Sequence, residues 1–142
     1  MLNQNQFIRI IAIFAIIFFL SACTTVPYTG RTQFIMTSVS EGNNLGEQAW
    51  REVLSKEKVS ANVFYNNILK ECGSRIAKVA ERPDFIWEFK VLENPEVNAF
   101  CLPGGKVAVY TGLFSACKNE AELAAVVGHE IGHAIARHGG ER

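Results

Sequence analysis

Residues 119–138 read NEAELAAVVGHEIGHAIARH. Asn119 offers a side-chain oxygen as a helix N-cap, and Glu122 three positions on completes a capping-box pattern. Apolar residues recur behind the cap at helical spacing. One helix is expected from there to about His138, with Gly139-Gly140 as its stop. His129 and His133 are four residues apart, which on a helix is about 400° of rotation, so the imidazoles stack one turn apart. Neutral imidazole nitrogens so placed can share one zinc ion. Glu130 lies about 100° round from His129 and flanks that ion. There it can take a proton from the attacking water and pass it to a leaving amine. Val127, Ile131 and Ile135 fall at about 160°, 200° and 240° from His129 and form an apolar face opposite the histidines. Gly128 and Gly132 cost the helix stability, and their small size is expected to admit a neighbouring strand or a substrate.

His129-Glu130-Ile131-Gly132-His133 therefore reads as two zinc ligands and a general base for metal-assisted amide hydrolysis. His138 follows His129 by nine residues, so a continuous helix would turn it about 180° away. It reads as a helix-end residue favoured by the C-terminal dipole rather than as a third ligand. Glu141 is the sole carboxylate after the motif, and it would have to fold back past the glycines.

Upstream, Leu45, Ala49, Trp50 and Val53 mark a helix from about Ser38, although Gly42 and Gly46 weaken it. Phe64, Ile68, Cys72, Ile76 and Val79 form one stripe of a second helix over 61–80, ended by Arg82-Pro83-Asp84. Apolar and charged residues then alternate in Trp87-Glu88-Phe89-Lys90-Val91, as in a half-buried strand. Two more strands are expected at 97–102 and 106–111, with Pro103-Gly104-Gly105 as the hairpin turn. The order helix, helix, small three-stranded sheet, helix is an α+β fold.

The chain has 142 residues, 49% of them hydrophobic, with 14 basic and 14 acidic side chains. This suits one small globular domain, and neither its balanced charge nor its motifs suggest a nucleic-acid partner. Residues 10–20 read IIAIFAIIFFL, preceded by Arg9 and running at its end into Leu20-Ser21-Ala22-Cys23. A short apolar run closing on small residues is expected to be a signal peptide over residues 1–22, with an uncleaved anchor as the alternative. Residues 23–37, with Pro27 and Gly30, read as a tether before a domain at 38–142. Cys72, Cys101 and Cys117 could supply one disulfide in an oxidising compartment or serve as small buried hydrophobes.

Two resemblances extend this reading. Leu-Ser-Ala-Cys resembles the lipobox of bacterial lipoproteins, which implies lipidation of Cys23 and a membrane attachment. With Thr24 following, it implies a bacterial cell envelope location, lipid-anchored at the outer membrane and facing the periplasm. The other rests on HEIGHAIARHGGER together with residues 98–106 (NAFCLPGGK) and 109–113 (VYTGL). These resemble the HtpX-like, prenyl-protein-endopeptidase family of zinc metallopeptidases, in its bacterial lipoprotein and mitochondrial stress-protease branch. The resemblance implies a zincin-like half-domain with one zinc per active site. The ion would be held by His129, His133 and a glutamate from a later helix that has no counterpart before Arg142. It implies a metalloendopeptidase that removes misfolded or misassembled envelope proteins. It also implies that an extended substrate pairs with a strand edge at Val97, Asn98, Ala99 and Phe100, which otherwise form a core strand with Phe100 buried. The alternative function is a catalytically incomplete lipoprotein fragment.

Overall fold

The expected helices and strands form, with shifted ends. The computed structural model describes residues 37–140, together with Gln6 and the segments 23–25 and 32–34. Apart from Gln6, the expected signal peptide lies outside the described residues. Among the described residues no helix is long and apolar enough to cross a membrane. Cys23–Thr25 (β1) and Thr32–Phe34 (β2) pair antiparallel within the stretch read as a tether. The side chain of Cys23 lies outside the described residues.

Helix α1 spans Val39–Lys56 and α2 spans Val63–Val79. Each starts where a polar side chain satisfies a free backbone N–H: Ser38 Oγ accepts from Glu41 N at 3.1 Å, and Asn62 Oδ1 from Tyr65 N at 3.1 Å. Strands β3 (Glu88–Leu92), β4 (Ala99–Leu102) and β5 (Lys106–Tyr110) form one sheet in the order β3-β5-β4. The central β5 is parallel to β3 and antiparallel to β4. Gly104 and Gly105 make the expected turn with φ of 83° and 85°, values that favour glycine. A short helix that the sequence pattern did not announce, α3 (Thr111–Ala116), leads to α4 (Glu120–Ile135).

Alternation along the strands divides the core between the two sheet faces. Val91, Ala99, Val107 and Val109 pack with Leu69 of α2 and with Val127 and Ile131 of α4. Leu92 and Ala108 pack on the other face against Trp50 of α1. On that face Lys106 is only 3% exposed, yet it is fully engaged. Its ammonium donates to Glu88 Oε1 at 2.6 Å and to Ile86 O at 2.9 Å, and it pairs with Glu47 at 3.2 Å. Burial opposes its charge, but the two carboxylates outweigh burial and raise its pKa.

The sheet's two outer edges differ. The edge of β3 is covered by the segment 58–60: Ser60 N donates to Val91 O and Glu93 N to Lys58 O, both at 2.8 Å. Among the described residues no strand pairs with the outer edge of β4.

Gly46 holds α1 against the hairpin. A Cβ at this position would lie 2.0 Å from the carbonyl oxygen of Pro103. Gly46→Ala is expected to cost about 1–3 kcal/mol through this overlap, read as a lower urea midpoint with an unchanged slope.

Candidate metal centre

Helix α4 confirms the wheel drawn from its sequence. Val127 and Ile131 are 0% and 1% exposed, whereas His129 and His133 are exposed and Glu130 is half-buried. Asn119 Oδ1 accepts from Glu122 N at 3.0 Å, but the Glu122 carboxylate accepts from Lys118 N at 2.9 Å, one residue before the reciprocal partner of a capping box. The glycines are not sites of close approach. A Cβ at Gly132 would meet nothing within 4 Å, and one at Gly128 only the Ile76 side chain at 4.0 Å. The expectation of a strand pressed against them is therefore corrected. Val127 and Ile131 on the opposite face hold α4 to the sheet instead.

The Nε2 atoms of His129 and His133 lie 2.9 Å apart, with the rings nearly perpendicular at 86°. Two nitrogens each about 2.05 Å from a tetrahedral zinc are separated by about 3.3 Å. A small opening of the pair would seat the ion, so these residues fit the metal that their spacing implies. Among the described residues no group of three or more His, Cys, Asp or Glu converges on one point. His129 and His133 would hold the ion, and Glu130, next along α4, is the base candidate.

The helix ends earlier than expected. Ile135 is its last residue, and Arg137 takes φ of 57°, reversing the chain three residues before Gly140. A non-glycine residue in this region carries strain. Arg137 is pinned there because its guanidinium donates to Thr37 O and to Ser38 O at the start of α1. The reversal swings His138 back, so its Nδ1 lies 2.5 Å from His133 Nδ1. The sequence reading had turned His138 away from the motif, because it assumed an unbroken helix.

Strand β4 packs along α4. Cys101 points to this face, and burial, with a smaller contribution from the negative charge of Glu130, pushes its pKa up to about 12. It therefore stays a neutral thiol at neutral pH. Cys72, Cys101 and Cys117 are free. Of the four candidate substrate-pairing residues, Ala99 and Phe100 lie in β4, while Val97 and Asn98 precede it. Phe100 points away from α4 and meets Tyr110 edge-on at 6.2 Å. A cavity of about 210 Å³ also opens beside His133, lined by Val39, Phe85, Leu102, Pro103, Ala134 and Arg137. Its walls come from four separate parts of the chain, so no local pattern could announce it.

Known proteins carry related sequences. The chain is 36% identical over 124 residues to the mitochondrial metalloendopeptidase OMA1 of Schizosaccharomyces pombe, covering 82% of this chain and 36% of that one. It is 60% identical over 52 residues to the mitochondrial metalloendopeptidase OMA1 of Arabidopsis thaliana, covering 37% and 11%. It is 27% identical over 120 residues to the beta-barrel assembly-enhancing protease of Escherichia coli, covering 84% and 25%. The chain thus spans about a third or less of the length of these curated relatives. The expected location at a bacterial outer membrane is overturned, because relatives from yeast, plant and mammals are named as mitochondrial enzymes. A short apolar run ending in small residues is a feature that several targeting routes share, so it does not define the compartment. The model of peptidase family M48 matches residues 64–142, from the second helix through the histidine pair, and the chain belongs to that family.

Proposed function

We propose that this chain carries the metal-holding and general-base part of a zinc-dependent metalloendopeptidase acting on misfolded or misassembled proteins. The observation that carries this reading is the pair of Nε2 atoms 2.9 Å apart on α4, with Glu130 adjacent in sequence and β4 alongside. Bound zinc would supply a Lewis acid that polarises the scissile carbonyl and makes water more acidic. His129 and His133 orient the ion, and the apolar face of α4 holds both rings in place. Glu130 accepts a proton from the attacking water and delivers it to the departing amine. Cys101, kept neutral, adds no second negative charge beside it.

The outer edge of β4 supports recognition of an extended substrate through backbone hydrogen bonds, which tolerate varied sequences. Tyr110 N donates to Asn98 O, so Asn98 and Phe100 turn their main-chain groups to β5, and Ala99 would present its own to a substrate, with Val97 at the approach. Exposed, unpaired segments of misfolded proteins supply such strands. Lipidation of Cys23 belongs to the same proposal, and labelled palmitate lost in Cys23→Ala would support it. Retention of the label in that variant would refute it.

A second reading, a catalytically incomplete chain, is favoured by the two-ligand set seen among the described residues. Zinc content separates the two. The peptidase reading expects stoichiometric zinc in the purified protein and its loss in His129→Ala. It also expects casein cleavage that a strong chelator abolishes. Cleavage undiminished by the chelator would overturn it.

A further inference from the structure

Three imidazoles run in a chain at the end of α4. His129 and His133 meet through Nε2 atoms 2.9 Å apart, and His133 and His138 through Nδ1 atoms 2.5 Å apart. These contacts use opposite sides of the His133 ring. The two nitrogens of one imidazole point in widely divergent directions, so a group bonded at Nδ1 stands behind the ring as seen from an ion at Nε2. His138 thus touches the side of His133 that an ion does not.

We propose that His138 is the positioning residue for His133. It accepts a hydrogen bond from the His133 Nδ1–H and so holds the tautomer whose Nε2 lone pair is free for a metal. This rests on reading His129 and His133 as the metal pair.

A neutral imidazole has one N–H, which decides the direction of every bond in the chain. Without metal, the close Nε2 pair needs one proton between them. When His133 supplies it, its Nδ1 can only accept, and His138 donates. When the Nε2 lone pair of His133 goes to a metal, its proton sits on Nδ1 and His138 accepts. His138 serves both arrangements because it can donate or accept at Nδ1. The backbone places it there: the reversal at Arg137, held by Thr37 and Ser38, leaves His138 one residue beyond a fixed turn.

The test measures the zinc affinity of the wild-type chain, His138→Leu, His138→Asn and His129→Ala, with ring ¹⁵N chemical shifts recorded on the first two. His138→Leu is expected to weaken zinc binding roughly 10- to 100-fold, the usual effect of losing the partner that orients a metal-bound histidine. His138→Asn is expected to recover most of it, because its amide oxygen falls where Nδ1 was. The metal-free melting temperature should be unchanged in both, since His138 is exposed. In the zinc-loaded wild type the shifts should place the proton of His133 on Nδ1. Unchanged affinity in His138→Leu, or shifts that put the metal on His138, would overturn the inference while leaving the metal pair intact. Unchanged zinc binding in His129→Ala would overturn the metal pair and the inference with it.

Discussion

Glu130→Gln is expected to lower casein cleavage by at least about 100-fold while zinc affinity stays at the wild-type level. The substitution keeps the shape of a half-buried side chain on α4 and removes only its basicity. The neighbouring histidines keep their apolar backing from Val127 and Ile131, so the metal pair should be undisturbed. Measuring zinc and cleavage on the same preparation separates a lost base from a lost metal. Cleavage retained in this variant would remove Glu130 from the chemistry. Cleavage and zinc lost together would show that it acts in holding the ion.

The largest effect on stability is expected at Trp50, far from the histidines. Trp50→Ala should cost about 3–5 kcal/mol, a drop in melting temperature on the order of 12 °C or more. The indole is 1% exposed, fills the face of the sheet opposite α4, and touches Leu92 and Ala108. Its Nε1 also donates to Glu88 Oε2 at 3.1 Å, joining α1 to the carboxylate that receives Lys106. The truncation opens a cavity and removes one donor from that network. Trp50→Phe restores much of the volume but not the donor, so the difference between the two variants measures the lost packing, and the loss that Trp50→Phe keeps relative to wild type contains the hydrogen bond. A loss below about 1 kcal/mol in Trp50→Ala would mean that α1 adds little to the core.

Both predictions depend on features of unequal legibility. The placement of Glu130 and the histidines was readable because a helix converts spacing directly into angle. The cap at Asn119 was equally local and was read as one, whereas the caps at Ser38 and Asn62, with the same three-residue spacing, appear in the structure alone. Trp50 was visible as part of an apolar stripe, but its partner surface was not. That surface exists only because alternate residues of β3 and β5 turn to the same face. The burial of Lys106 had no sequence signal, since its three partners come from residues 47, 86 and 88.

Local pattern accounts for the three long helices and the three strands of the main sheet, for the apolar face of α4, and for His129 and His133 sharing one side of it. These properties follow from periods of 3.6 and 2 residues, and they depend only on near neighbours. Long-range packing makes β5 central and, among the described residues, leaves the outer edge of β4 unpaired. It also decided that the metal helix stops at Ile135 rather than near His138. The stop depends on Arg137 reaching Thr37, a contact across 100 residues of chain. A strained turn held by so distant a partner cannot be read from local pattern. That contact is also what brings His138 back to the histidine pair.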